Sequence, residues 1–403
     1  MSFLKPSLLL VLFLVLPFVS SNAQSIDTIG NDATLDIATW NIEWFGSTNN
    51  GPSNDQLQID NAARVIAETG IDLWGVQEIA DADDFASLLS ALGDDFDGTL
   101  ATNSVEQKIG FIYNKNTIQV RQVGHILESF TRPFASRPPL QLEASITLPD
   151  TTVIVTFIVL HMKAFSDVES YERRVEASSR LKNHIDFTSL DSERVIVLGD
   201  MNDELEQSTS GGRVSPYDNF IMDPENYFFA SLPLEQSGSG SFCSNSNCTS
   251  TGSMLDHIMM TDELFNDYIT GSAGFIPDLT DEISFFGNST SDHLPVLARF
   301  DFGQVVLDAE DTPAHPDRIL VDAPYPNPFS NTTTVSVQFA EPAHVQVEVF
   351  DLLGRQVDTI ADQFTNPGTY QYTFSPDSAP RGIYMIRVSA DGFVKTIPVT
   401  LLN

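Results

Sequence analysis

The chain has 403 residues, 42% hydrophobic and 10% aromatic, which excludes a disordered or fibrous polypeptide and leaves room for two domains with cores of their own. Its 55 acidic against 20 basic residues give a net charge of −35, so the overall field repels nucleic acid at low ionic strength and any binding of it depends on metal and a few local cations. The acids are interspersed among apolar periods, which reads as a solvated acidic surface suited to high salt rather than as disorder.

Residues 1–23 carry Lys5 and then an apolar core from Leu8 to Val19, too short to span a bilayer, followed by the small residues Ser21-Asn22-Ala23. A membrane anchor is the competing reading, but no stop-transfer pattern follows. The expectation is a cleaved signal peptide with Gln24 as the new N-terminus, and no stable membrane span.

After a first strand ending in Thr39-Trp40-Asn41-Ile42-Glu43, Asp55 to Ala67 places Ile59, Ala62, Ala63, Ile66 and Ala67 at helical spacing, and Gly70 ends the run. The strand Ile71 to Gln77 delivers Glu78. Asp81 to Leu92 reads as a second helix, with acids in its first turn and Phe85, Leu88, Leu89 and Leu92 on one face. Lys108 to Tyr113 and Leu140 to Leu148 read as strands, and Thr151 to Leu160 as a fully apolar one leading into His161-Met162-Lys163. Glu169 to Phe187 reads as a helix with Tyr171, Val175, Ser178 and Ile185 on one side and Arg173, Arg174, Arg180 and Lys182 elsewhere. Then comes the β-branched run Val195-Ile196-Val197-Leu198, with Gly199-Asp200-Met201-Asn202 at its end, where open α/β sheets place their chemistry.

Cys243 and Cys248 are the only cysteines. A zinc site needs further Cys or His at ligand spacing, and none lies nearby, so the expectation is a loop-closing disulfide near the active-site rim. Downstream stand Leu255-Asp256-His257-Ile258 and Ser291-Asp292-His293-Leu294-Pro295-Val296, with a strand from Val296 to Phe302.

Taken together and in this order, the polar strand ends resemble the endonuclease/exonuclease/phosphatase superfamily, the group that includes deoxyribonuclease I and the exonuclease III type repair nucleases. The resemblance covers about residues 33 to 303 and implies a four-layered α/β/β/α sandwich; periodicity alone gives mixed α and β.

Residues 304–322 are acidic, contain Pro313 and Pro316 and lack an apolar period, as a linker does. From Ala323-Pro324-Tyr325-Pro326-Asn327-Pro328-Phe329 onward the chain alternates as short strands, with Val345 to Phe350, a hairpin turn at Asp351-Leu352-Leu353-Gly354-Arg355 and a late strand from Gly382 to Val388. Residues 323–403 resemble the type A sorting domain of the type IX secretion system, a small all-β, immunoglobulin-like sandwich; a carbohydrate-binding or adhesive module is the alternative.

The oxygen-rich set Asn41, Glu78, Asp200, Asn202 and Asp292 suits Mg²⁺ or Mn²⁺, with Ca²⁺ as the alternative for a structural ion. Carried over by motif, the resemblance implies Glu78 as the principal metal ligand, with Asn41 and Asp292 completing or orienting the shell. It further implies that Asp200 positions or activates the nucleophile and that Asn202 holds a phosphate oxygen. His161 and His293 are the acid and base candidates, since only imidazole titrates unaided near neutral pH. Asp256 stands at the family position that fixes the tautomer of His293, whereas strand alternation points His257 the other way, as a structural residue. Arg137 resembles the family's phosphate-contacting arginine, with an exposed loop arginine as the competing reading, and Lys108 and Lys163 are further candidates for backbone contacts. The expectation is a monomeric, secreted or surface-attached phosphodiesterase, exported through the periplasm by the type IX machinery and acting foremost as a nuclease on extracellular DNA or RNA. The alternatives are a phosphomonoesterase or lipid phosphodiesterase of the same superfamily, or a surface-binding protein with a degenerate site.

Overall fold

The computed structural model describes residues 25–303 apart from Ser104, and 319–402 apart from 322–323, 340–341, 352–354, 377–379 and 391–392. The expected signal peptide, most of the expected linker and the tip of the Asp351 to Arg355 turn lie outside the described residues.

The N-terminal unit runs β1 (Leu35–Phe45), α1 (Asp55–Thr69), β2 (Leu73–Ile79), α2 (Ala82–Leu92), β3 (Phe96–Leu100), β4 (Lys108–Asn114), β5 (Ile118–His125), β6 (Leu140–Leu148), β7 (Thr151–His161), α3 (Val168–Asp186), β8 (Val195–Asp200), β9 (Tyr227–Phe229), β10 (Asp256–Thr261), β11 (Gly274–Phe275) and β12 (Val296–Phe300). Two six-stranded sheets result, in the orders β11-β12-β1-β2-β4-β3 and β5-β6-β7-β8-β10-β9. In each, the parallel pair that the βα units make, β1 with β2 and β7 with β8, lies at the centre.

The strand period of two explains the layering. Along β1, Leu35 and Ile37 enter the core shared by the two sheets, whereas Ala38, Trp40 and Ile42 pack under α1 and α2 with Ile59, Ile66, Phe85 and Leu88. The sheets approach closely at Gly75, where an added Cβ would stand 2.8 Å from the Leu198 side chain. Across the second sheet, α3 contributes Ala177, Leu181 and Ile185. The result is the α/β/β/α sandwich. Both early helices begin at side-chain caps, Asn54 for α1 and Asp81 for α2, and Gly70 ends α1 in the left-handed region at φ 71°.

Several sequence expectations need correction. β7, expected as fully apolar, is buried throughout only from Val155 on: its first four residues alternate between half-buried and exposed, with Ile154 45% exposed. The edge strands β3 and β5 are too polar to show an apolar run. On α3 the buried face is Ser170, Arg174, Ala177, Ser178, Leu181 and Ile185, so Val175 is solvent-facing and Arg174, expected outside, is fully buried. Its guanidinium meets Asp203, and a buried charge is tolerated when paired.

The expected linker ends early, because Ile319–Val321 forms β13 and pairs with β14 (Thr333–Phe339). β15 (Ala343–Asp351), β16 (Gln356–Thr365), β17 (Gly368–Phe374), β18 (Gly382–Ala390) and β19 (Phe393–Leu401) complete a C-terminal all-β unit of two sheets, β13-β14-β17 and β16-β15-β18-β19. Val335, Val337, Val345, Val347, Ile386 and Val399 are among the residues of its core. Among the described residues no helix is long and apolar enough to cross a membrane.

Candidate active site

The ends of β1, β2, β7, β8 and β10 bring their polar residues to one place. At the end of β8, Gly199 has φ 152°, and a Cβ there would lie 2.1 Å from the Leu160 carbonyl oxygen, so only glycine lets β8 run this close to β7. Asp200, 1% exposed, accepts from the Asn202 amide at 2.9 Å through Oδ1 and from Asn41 Nδ2 at 3.0 Å through Oδ2. Asn41 Nδ2 also donates to Glu78 Oε1 at 3.2 Å. His161, almost fully buried, sets Nε2 3.5 Å from Asp200 Oδ2 and 3.7 Å from Glu78 Oε1. Glu78, His161 and Asp200 therefore offer ligand atoms within 4.8 Å of one another, and so do Asp200, Asp256 and His293.

Irregular backbone aims these groups. The β1–β2 pairing shifts register between Asn41 and Phe45, and Trp44 and Glu78 take left-handed φ values of 45° and 61°. Each such non-glycine residue costs on the order of 1–3 kcal/mol, and such bulges collect beside active sites, where they redirect side chains. Hydrogen bonds hold the distortion: the Trp44 amide donates to Glu78 Oε2 at 3.0 Å, and the buried Gln58 amide donates to the carbonyls of Ile42, Glu43 and Thr290.

Opposite stands the pair His293 and Asp256, with Nδ1 2.6 Å from Oδ2. Ser241 donates to the same Oδ2 at 2.6 Å. Burial alone would keep His293 neutral, but Asp256 and then Asp200 and Asp292 outweigh it and hold the imidazole well above its ordinary value. His161 goes the other way: burial, then the charges of Arg137, His293 and Lys163, keep it well below, as a neutral ring. Asp200 is pushed up to about 7, chiefly by burial. Asp292 is raised by burial and sits with Oδ1 4.0 Å from His293 Nε2. The Cys243–Cys248 disulfide forms and fixes the adjoining loop: the Cys243 amide donates to the Asp292 carbonyl at 2.7 Å, and the Phe242 ring meets His293 edge-on.

Arg137 is neither a free loop arginine nor ion-paired among the described residues. Its guanidinium donates to the carbonyls of His161 and Met162 and to Gln107, which fixes the end of β7. Lys108 flanks the site from β4, where it pairs in register with Ile79. Asn202, at φ 54°, donates from Nδ2 to the Met162 carbonyl at 3.3 Å. His257 is buried away from the centre. Its Nε2 faces the carbonyls of Asp203 and Met254, which only accept, so Nε2 carries the proton and Nδ1 accepts from Ser231.

One residue went unassigned in the sequence. Glu43 lies two positions beyond Asn41 in β1, inside the stretch where the β1–β2 register shifts. Its Oε2 is buried without a partner, and burial together with Asp292 and Glu78 raises its carboxyl to about 8. Glu43, Glu78, Asp200 and Asp292 thus crowd negative charge with His293 as the cation among them, which is the condition a divalent cation relieves. The amide nitrogen of Asn41 points at the carboxylates and its Oδ1 takes the Glu43 amide at 3.1 Å, so Asn41 fits an orienting role better than a ligating one.

Residues 38–293 match the profile of the Endonuclease/Exonuclease/phosphatase family, and residues 323–399 that of the Secretion system C-terminal sorting domain. No curated protein matches the sequence significantly. Among solved structures, the human Nocturnin catalytic domain with bound sulfate anion is 16% identical, with a TM-score of 0.47 over 67% of this chain and 95% of that one. An endonuclease/exonuclease/phosphatase from Bacteroides vulgatus is 16% identical, with a TM-score of 0.48 over 66% and 98%. The mannosyl-6-phosphatase Bt3783 of Bacteroides thetaiotaomicron is 14% identical, with a TM-score of 0.44 over 66% and 100%.

Proposed function

The chain belongs to the endonuclease/exonuclease/phosphatase family and is a phosphoric ester hydrolase carrying a secretion sorting domain, and from that premise we propose that it is a divalent-metal-dependent phosphodiesterase acting on extracellular nucleic acid. We take 1–23 as a cleaved signal peptide, about 33–303 as the catalytic unit and the C-terminal unit as the address read by the type IX machinery, with release or attachment at the cell surface.

The observation that carries the hydrolytic reading is the convergence of Asp200 with the His293–Asp256 pair, whose carboxylate and ring atoms lie within 4.8 Å of one another. Environments that push two titratable groups apart define a base and an acid. Asp200, buried and raised, takes the proton of the attacking water. His293, kept protonated by Asp256, neutralises the developing charge and returns a proton to the leaving oxygen. His161, held neutral, donates a hydrogen bond to a non-bridging oxygen, and Asn202 holds another. Glu78 and Asp292, with Glu43 beside them, fit Mg²⁺ or Mn²⁺, which supplies Lewis-acid stabilisation of the phosphoryl oxygens when bound. Lys108 at the start of β4 and Lys163 just past β7 supply one cation from each sheet, which suits a substrate with phosphates on both sides of the scissile one and favours a diester over a monoester.

A plasmid-nicking assay with Mg²⁺, run beside a phosphomonoester and a phospholipid substrate, tests the reading; turnover of the monoester alone would overturn it. Glu78→Gln keeps the side-chain shape and removes the charge, so the Mg²⁺ concentration for half-maximal rate should rise and excess metal should partly restore activity. An unchanged half-saturation would remove Glu78 from the ligand set.

A further inference from the structure

We infer that the loop leaving β7 is a nucleotide subsite, in which the Phe165 ring stacks on an unpaired base of the substrate strand while Lys163 and Arg173 hold its phosphates. This rests on the nuclease reading and adds to it a preference for single-stranded nucleic acid.

Phe165 is 73% exposed and has φ 79°. Both features are unfavourable without a return: the ring gives up burial, and the left-handed backbone suits glycine. The loop is nevertheless tied at its backbone. Arg174 Nη1 donates to the carbonyls of Lys163 at 2.6 Å and Phe165 at 2.8 Å, and Arg174 is itself locked to Asp203. A strained, exposed aromatic on a fixed backbone, four positions beyond His161, is what a binding platform requires. Lys163 Nζ stands 4.2 Å from the Phe165 ring centroid and its charge is felt at His161, so cation and ring adjoin the reacting centre.

The charges point the same way. In a chain with 55 acids and 20 bases, cations should find carboxylates easily. Among the described residues, Lys163 and Arg173 have none within ion-pair distance: Lys163 Nζ donates to the Ala164 carbonyl and Arg173 Nε to that of Arg132. Burial and then the neighbouring Arg173 lower the Lys163 ammonium, with Asp167 opposing, so these like charges tax each other until an anion joins them. A phosphate supplies that anion and the attached base supplies the ring. A base inside a duplex has both faces covered, so stacking on Phe165 needs a single strand or a frayed end.

The full chain with Mg²⁺ would be assayed for kcat/KM on a single-stranded oligonucleotide, the matching duplex and an oligonucleotide of the same length with tetrahydrofuran abasic units flanking the cleaved bond. The parent should favour the base-bearing single strand over the abasic one by about ten-fold, the scale of one base–aromatic stack. Phe165→Trp should keep that ratio and Phe165→Ala should collapse it. Phe165→Gly should collapse it too while raising the melting temperature, since glycine suits the backbone, an outcome that a structural role for the ring would not give. Lys163→Gln and Arg173→Gln should raise KM for base-bearing and abasic strands alike. A ratio unchanged in Phe165→Ala, or equal rates of the parent on duplex and single strand, overturns the subsite and leaves the nuclease reading standing. Hydrolysis of a phosphomonoester with no cleavage of any oligonucleotide removes both.

Discussion

Asp200→Asn and His293→Ala should each lower turnover at least about 100-fold with little change in KM, because each removes a group that acts in the transition state rather than in binding. The stability of Asp200→Asn separates function from folding. Burial pushes the Asp200 carboxyl from its ordinary 3.8 to about 7. A carboxyl raised in the folded state binds its proton more tightly there than in the unfolded chain. The folded state is therefore penalised progressively between those two values, and fully above the higher one. An amide cannot ionise and escapes that penalty. In metal-free buffer at pH 8, Asp200→Asn should melt no lower than the parent, and it should be inactive once Mg²⁺ is added. Calorimetry in EDTA beside initial rates in Mg²⁺ checks both halves; near-native turnover in either variant would remove its residue from the catalytic set.

Much of this site was legible because apolar runs mark strands and polar residues at their ends mark the crevice. Val195 to Leu198 followed by Gly199-Asp200 shows both without any partner in view. The partnership of Asp256 with His293 was not legible from spacing. The two are far apart in the chain and meet only after β10 and the loop before β12 have been placed, so it rested on resemblance. Glu43 was missed although its motif was in plain sight, since its importance comes from the bulge that turns it toward Asp292 and Glu78. Arg174 was misread for a physical reason: helical periodicity assigns a charge to solvent, and only the tertiary fold supplies the Asp203 that lets it be buried.

That buried pair is expected to decide stability and activity together. Asp203 accepts from Arg174 at 2.8 Å, from Ser208 Oγ at 2.8 Å and from the Thr209 amide at 2.6 Å, and its backbone carbonyl accepts a hydrogen bond from His257 Nε2 at 3.0 Å. Arg174 in turn holds the carbonyls of Lys163 and Phe165. Arg174, Asp203 and His257 thus link, from behind, the strand ends that carry His161, Asp200 with Asn202, and Asp256. Arg174→Met leaves Asp203 charged and unpaired in the interior, which should destabilise the fold by about 3–5 kcal/mol. Replacing both partners, Arg174→Met with Asp203→Leu, removes the stranded charge, and buried pairs exchanged for apolar residues often regain their stability. Activity should not return with it, because the Lys163 and Phe165 carbonyls still lack their donor and the loop next to His161 is no longer held. Denaturant midpoints and kcat/KM for the single and double variants give the answer. A double variant that recovers both would make the pair a matter of stability alone, and one that recovers only the midpoint makes Arg174 a positioning residue for the phosphate site.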